Sequence, residues 1–212
     1  MELDIYTEAP SSYDTLANLG PLARLAGRWY GDQGEDTHPQ ANGPETEAYV
    51  ETIDFDLLDA QNNGPQVLYG LRYHVSVKKP GENAAFHEQV GYLLWEPATQ
   101  QITMTLAIPR AQVAMAVGSA APDADTFTVS AVQGEAFSGI ISSEFLEKNF
   151  KTVEWTETFT FNEDGTLSYS EVTKLVIPHV DGVFEHKDSN TLRKVGFSKP
   201  NPRALDEGVI LR

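Results

Sequence analysis

Residues 67–77 read VLYGLRYHVSV, and apolar and polar side chains alternate along this stretch with a period of two. The polar face carries Arg72, His74 and Ser76, and the apolar face carries Val67, Tyr69, Leu71, Tyr73, Val75 and Val77. Because successive side chains of a β-strand point to opposite faces of the sheet, the stretch is predicted to be a strand with one buried face.

The same alternation recurs in ITMTLAI (102–108), TVEWTETFTF (152–161) and TLSYSEVTKLVI (166–177). Turn signals separate the predicted strands, namely NNGP at 62–65, KPG at 79–81, EDG at 163–165 and DG at 181–182. About eight to ten strands with short connections, and no alternation of strands with helices, predict an all-β fold. We expect a closed antiparallel up-and-down β-barrel of about ten strands, with a β-sandwich as the rival.

Two stretches have helical character. In YDTLANLGPLARL (13–25) leucines recur at every third position and Gly20-Pro21 interrupts them, which predicts short helical turns. SSEFLEKN (142–149) predicts a second short helix with Ser142 or Ser143 as its N-cap. We therefore expect the barrel domain at residues 15–197, after an N-terminal extension (1–14) and before a C-terminal tail (198–212).

Composition narrows the class of partner. The 212 residues carry a net charge of -16, which disfavours binding to nucleic acid or to an anionic lipid surface. No apolar run approaches the ~20 residues of a membrane span, and the N-terminal residues lack the pattern of a signal peptide. We therefore expect a cytoplasmic protein that binds neither nucleic acid nor a membrane. The chain has no cysteine, so thiolate catalysis and cysteine metal sites are excluded.

Local motifs of phosphate-binding loops, dinucleotide folds, serine hydrolases and zinc proteases are absent. HKD at 186–188 has the spacing of two arms of a non-heme iron triad, but no histidine follows to supply the third ligand. His38 lies in a polar stretch and His179 at a turn, so both are predicted to be exposed. For His74, His87 and His186 the pattern alone favours a structural or exposed position over a ligand.

Three motifs carry a resemblance to a known family. LAGRWYGDQG (25–34) resembles a GxWxGxG motif through Gly27, Trp29 and Gly31, although Gln33 occupies the third glycine position and Gly34 follows one residue late. FHEQVGYLLWEP (86–97) resembles a histidine-then-GY strand, and FEHKDSNTLRKV (184–195) places a histidine on the closing strand. Together they resemble the nitrobindin family of heme-binding barrels, shaped like fatty-acid-binding proteins and lipocalins, over residues 15–196. Insertions near 40–47 and 59–64 lengthen the chain and affect the pocket mouth.

The resemblance implies a heme b protein whose ferric iron binds nitric oxide and isomerises peroxynitrite to nitrate. It implies His186 as the axial iron ligand, and His87 is the candidate for a second pocket residue. Arg110 follows a proline at a predicted strand end, which makes it a candidate partner for the heme propionates, with a surface salt bridge as the alternative. Such a protein is a peroxynitrite isomerase only if heme is bound, and a homodimer is compatible with it. Asp188 or Asn190 is expected to accept the second ring N–H of His186.

Two further expectations concern closure and alternatives. Strand 27–31 should neighbour strand 191–195, with Arg193 packed across Trp29 as in lipocalin-like barrels. The alternative function is a non-heme carrier of a small apolar ligand. A third reading is a structural barrel filled by its own side chains.

Overall fold

The computed structural model describes residues 4–209. Its strands are β1 (Gly27–Gln40), β2 (Gly43–Leu57), β3 (Gln61–Asn63), β4 (Gln66–Lys78), β5 (Ala85–Glu96), β6 (Gln101–Ile108), β7 (Gln112–Ser119), β8 (Thr126–Val132), β9 (Gly139–Ser142), β10 (Lys151–Phe161), β11 (Leu167–Val176) and β12 (Phe184–Gly196). The helices are α1 (Thr15–Asn18), a 3-10 helix (Gly20–Leu25), α2 (Glu144–Asn149) and α3 (Pro202–Asp206).

Ten strands form a closed antiparallel barrel. Their order is β2-β1-β12-β11-β10-β8-β7-β6-β5-β4, and the pairing of β4 with β2 closes the ring. The short strands β3 and β9 lie outside the ring and pair with β4 and β7. Closure gives every strand of the ring two neighbours, which is how up-and-down barrels avoid edge-to-edge association. The predicted barrel is confirmed, and the sandwich is not formed.

The helical predictions hold, with one addition. The stretch 13–25 forms α1 and the 3-10 helix, separated as predicted at Gly20, and Ser143 caps α2 by accepting a hydrogen bond from the Leu146 amide. The tail contains a third short helix, α3, that was not predicted. Asn201 precedes it, is buried and donates a hydrogen bond to the Tyr13 carbonyl, which fastens the tail to the N-terminal segment.

Strand β1 pairs with β12, as predicted for the closing seam, but the predicted packing of Arg193 across Trp29 is wrong. Lys194 is opposite Trp29 in the ladder, and its ammonium lies 4.9 Å from the centre of the indole ring. Arg193 instead lies over Tyr30, at 4.6 Å on the outer face. The reason is strand parity: Leu192 faces the core, so its immediate neighbour Arg193 must face solvent.

A β-bulge in β1 reorganises the first motif. The register with β2 shifts between Gly31 and Gly34, so the inward face moves from odd-numbered to even-numbered positions. Gly34 therefore lies on the inner wall, where any side chain would overlap the Tyr49 ring. Gly34, which follows the third glycine position of the motif by one residue, is thus brought to the inner wall by the bulge. The same shift turns Asp36 and His38 toward the barrel interior.

One part of the barrel interior is filled by the N-terminal helical segment. Leu19, Leu22 and Leu25 are completely buried, and the Trp29 indole N–H donates to the Leu25 carbonyl at 2.7 Å.

Among residues 4–209, no helix combines the length and the hydropathy needed to cross a bilayer.

Candidate functional site

The barrel contains a cavity of about 720 Å³, within the ~300–1,000 Å³ typical of small-molecule sites. This volume contradicts the reading of a barrel filled by its own side chains. Phe86, Phe145 and Phe150 line the cavity and are partly exposed, so they mark its mouth. Its apolar walls further include Ile53, Phe55, Val75, Val77, Met104, Ile108, Leu146, Phe159 and Leu175.

His186 lies on the cavity wall, on the inward face of β12. Its Nε2 lies 2.8 Å from Asp36 Oδ1 and 3.2 Å from Asp188 Oδ2. Asp188 lies near the ring, but the hydrogen bond predicted for it is formed with Asp36 instead. The predicted contact of Asn190 with the ring is not formed, because the side-chain amide of Asn190 donates to Glu51 instead.

The carboxylate of Asp36 lies between two histidines. Its Oδ2 is 3.2 Å from His38 Nδ1, whereas its other carboxylate oxygen, Oδ1, contacts His186. Burial alone would raise the pKa of Asp36, but the hydrogen bond from His186 and the charges of the two histidines hold it below its ordinary value. Burial also opposes protonation of His186, yet Asp36 and Asp188 outweigh it and raise the His186 pKa. An ionised Asp36 can only accept a hydrogen bond, so His186 Nε2 carries the proton.

His87 and Arg110 line the same cavity as His186, so one cavity contains all three predicted site residues. Burial lowers the pKa of His87, and the charge of Arg110 lowers it further, so His87 is a neutral imidazole. Arg110 donates a long hydrogen bond to the Phe86 carbonyl and forms no ion pair with any residue in 4–209. Lys79 also lines the cavity and is paired with Glu47 at 2.7 Å.

The prediction that His38 is solvent-exposed is wrong. The bulge in β1 turns it onto the cavity wall, where its side chain retains 19% exposure. Its Nδ1 is buried and lacks hydrogen-bond geometry to any described partner. His179 is exposed at a turn as predicted, and His74 faces outward on β4 with 47% of its side chain exposed.

The inner wall also carries a row of acidic residues that the sequence analysis missed. Asp36 is the ladder partner of both Glu47 and Asp188, Asp188 is opposite Glu171, and Glu171 is opposite Glu157. We call Glu47, Asp36, Asp188, Glu171 and Glu157 the acidic row. Burial, together with neighbouring carboxylates, raises the pKa of Asp188 and of Glu157. Burial likewise raises the pKa of Glu171, with opposition from His186.

Glu51 lies further along the same wall as Glu47, on the inward face of β2. Its Oε2 accepts hydrogen bonds from the Tyr169 hydroxyl at 3.0 Å and from Asn190 at 3.2 Å. Burial raises its pKa to about 7, with those two hydrogen bonds acting in the opposite direction. Tyr169 also contacts the Tyr49 hydroxyl at 2.6 Å, so the network joins β2, β11 and β12.

Strand alternation could have revealed these acidic residues. Glu157 lies between Trp155 and Phe159 at the inward period, and Glu171 follows Tyr169 on the same face of β11. A charged residue at an inward position is rarely compatible with a packed core, and such positions are candidates for function. Asp36 could not be found in this way, because the bulge changes the parity of β1.

The fold and the site can be compared with known proteins. Residues 18–194 match the family described as "THAP4-like, heme-binding beta-barrel domain". Among solved structures, the crystal structure of Rv2717c from M. tuberculosis superposes with a TM-score of 0.58 at 22% sequence identity. The alignment covers 85% of this chain and 96% of that one, and it shows a shared fold. No curated protein matches the chain. The family match spans most of the sequence, so the chain belongs to the THAP4-like heme-binding β-barrel domain family, the nitrobindin family that its three motifs resemble.

Proposed function

We propose that the cavity binds heme b, with His186 as the axial ligand of the iron. The observation that carries the proposal is the position of His186, on the wall of a cavity of about 720 Å³, with one ring nitrogen held by Asp36. Ligating histidines in metalloproteins commonly donate their other ring N–H to a carboxylate, which fixes the tautomer.

The residues present fit such a group. The walls near the mouth are mostly apolar, as a porphyrin requires, and the cations Arg110 and Lys79, which line the cavity, are the proposed partners for the propionates. Arg110 is the stronger candidate, because Lys79 is already paired with Glu47. His87 is neutral and is proposed as a second pocket residue that does not ligate the iron.

The contact with Asp36 selects the nitrogen. Since His186 Nε2 donates its proton to an ionised Asp36, the lone pair that remains for heme iron is on Nδ1. Asp36 is therefore proposed as the positioning residue that orients the ring.

The activity proposed is the one implied by the family resemblance. Ferric heme, if bound, would supply the iron chemistry for binding nitric oxide and for isomerising peroxynitrite to nitrate. The chain's own contribution is to hold the ring of His186, to bind the propionates and to exclude water with Phe86, Phe145 and Phe150.

A carrier of apolar ligands is the second candidate, favoured by the three phenylalanines at the mouth. The acidic row argues against fatty acids as its ligands, because their carboxylates would be buried beside like charges.

Titration of the purified protein with hemin distinguishes the heme protein from the carrier of apolar ligands. A saturable Soret band at one heme per chain supports the heme proposal, as does an increased nitrate yield from peroxynitrite with the loaded protein. Displacement of a fluorescent apolar probe by lipids, without any hemin spectrum, would support the carrier instead.

A further inference from the structure

The acidic row is costly for the fold. Four of its members, Asp36, Asp188, Glu171 and Glu157, are consecutive ladder partners across β1, β12, β11 and β10, and all four line the cavity. Like charges directly opposite each other in neighbouring strands are destabilising. A wall of a barrel that serves only to pack would carry apolar residues at these inward positions.

The two ends of the acidic row, Glu47 and Glu157, differ in their partners. Glu47 forms an ion pair with Lys79 at the cavity mouth. At the far end Glu157 has 6% exposure, and its Oε2 has no hydrogen-bond partner among residues 4–209. Buried carboxyl oxygens normally have a partner, because leaving one unmet costs ~1–3 kcal/mol. Glu157 lines the cavity, so a bound ligand is able to reach it.

The middle of the row has the spacing of a metal site. Ligand atoms of Asp36, His186 and Asp188 all lie within 4.8 Å of one another. His186 Nε2 is 2.8 Å from one carboxylate oxygen and 3.2 Å from the other. Bonds of ~2.0–2.2 Å to one ion place neighbouring ligands ~3–3.5 Å apart, which is close to the two distances from His186.

We propose that Asp36, His186 and Asp188 bind a divalent transition-metal ion, with Glu171 and Glu157 extending the negative wall beside it. One imidazole and two carboxylates are ligands that suit zinc and similar ions of the first transition row. In the heme-free protein the ion takes the place of the proton on His186 Nε2, and it competes with the Asp36 contact that is proposed to orient the ring for heme iron. Its charge offsets the repulsion along the row, which explains why acidic residues occupy inward positions on the four neighbouring strands β1, β12, β11 and β10.

Cobalt(II) is a suitable probe, since its visible absorption reports the ligands directly. We would titrate the full-length, heme-free, chelator-treated protein with Co²⁺ in high salt, which suppresses binding to the acidic surface. The test variants are Asp188→Asn and Asp36→Asn. The control is Glu185→Gln, which removes the same charge from an exposed neighbour on the outer face of β12.

Wild type and Glu185→Gln are expected to bind one Co²⁺ per chain with equal affinity and to release it to Zn²⁺. Each test variant should bind ~100-fold or more weakly, beyond the ~10–100-fold typical of losing a residue that supports a metal ligand. Circular dichroism verifies folding, and if one variant does not fold the other decides. The proposal is overturned if folded Asp188→Asn or Asp36→Asn binds like wild type, or if wild-type binding is non-saturating and leaves the cobalt spectrum unchanged. The experiment contains no heme, so its failure leaves the heme proposal standing.

Discussion

His186 and Asp36 lie 150 positions apart in the chain, and their side chains meet at 2.8 Å across the β1–β12 seam. The contact exists because barrel closure pairs the first long strand with the last, and because the bulge in β1 turns Asp36 inward. It fixes the proton on Nε2 of a histidine that faces the cavity. Several consequences of this arrangement and its surroundings are measurable.

Asp36→Asn should weaken hemin binding ~10–100-fold without changing the β-rich far-UV spectrum. The amide keeps the shape of the side chain but removes the charged acceptor that orients the His186 ring. Hemin titration followed at the Soret band measures the effect. Asp56→Asn, at an exposed site paired with Arg72 on the barrel exterior, is the control and should bind like wild type. Equal affinity of the Asp36 and Asp56 variants would remove the positioning role.

Glu51→Gln should alter the pH dependence of stability. Burial raises the Glu51 pKa from 4.5 to about 7, so the folded protein holds this proton more tightly than the unfolded chain. The stabilisation is therefore complete below about pH 4.5 and is lost as the pH rises through about 7. A shift of this size corresponds to ~3 kcal/mol. Urea unfolding across this range should show a shallower decline of stability in Glu51→Gln, whereas the exposed control Glu88→Gln should keep the wild-type slope.

Lys194→Met should lower the free energy of unfolding by ~1–3 kcal/mol. The Lys194 ammonium donates to the carbonyls of Arg24 and Ala26 while lying over the Trp29 ring, so the substitution leaves two carbonyls without this donor. Arg193→Met, its exposed neighbour over Tyr30, should cost less than ~1 kcal/mol. Denaturant unfolding compares the pair, and a larger loss from the Arg193 variant would contradict the observed packing.

Much of the fold follows from the sequence, because period-two alternation and turn residues act locally. Ten strands, closure of the first strand on the last and the capped helix α2 were all predictable. The same alternation predicts the outward direction of Arg193. His186 and Arg193 lie at even and odd positions of one strand, so they cannot share a face. By the same alternation Glu157 and Glu171 occupy inward positions, which a pattern of apolar residues does not report.

The rest of the site depends on features that no local pattern reports. The bulge in β1 decides that Asp36 and His38 face inward, and the carboxylate closest to His186 Nε2 comes from 150 positions earlier in the chain. The convergence of His186, His87 and Arg110 on one cavity came from the family resemblance, because composition and spacing alone left them undecided.

Glu157→Met should stabilise the ligand-free protein by ~1 kcal/mol or more, because it removes a buried carboxyl oxygen that has no partner among the described residues. Glu154→Met, on the other face of β10, breaks an ion pair with Lys174 and should bring no gain. Thermal unfolding of both variants without added metal makes the comparison. A destabilised Glu157 variant would mean that the carboxyl supports the fold rather than a ligand.

Hemin binding by His186→Ala tests the central claim most directly. The variant should fold like wild type, because His186 is partly exposed on the cavity wall and not part of the packed core. If His186 is the axial ligand, the variant loses the histidine-ligated ferric spectrum and peroxynitrite isomerisation, and its affinity for hemin falls by more than ~100-fold, beyond the usual effect of losing a supporting hydrogen bond. His87→Ala should shift affinity or ligand rates without abolishing binding, and the outward-facing control His74→Ala should match wild type. An unchanged Soret band and affinity in His186→Ala would contradict the account.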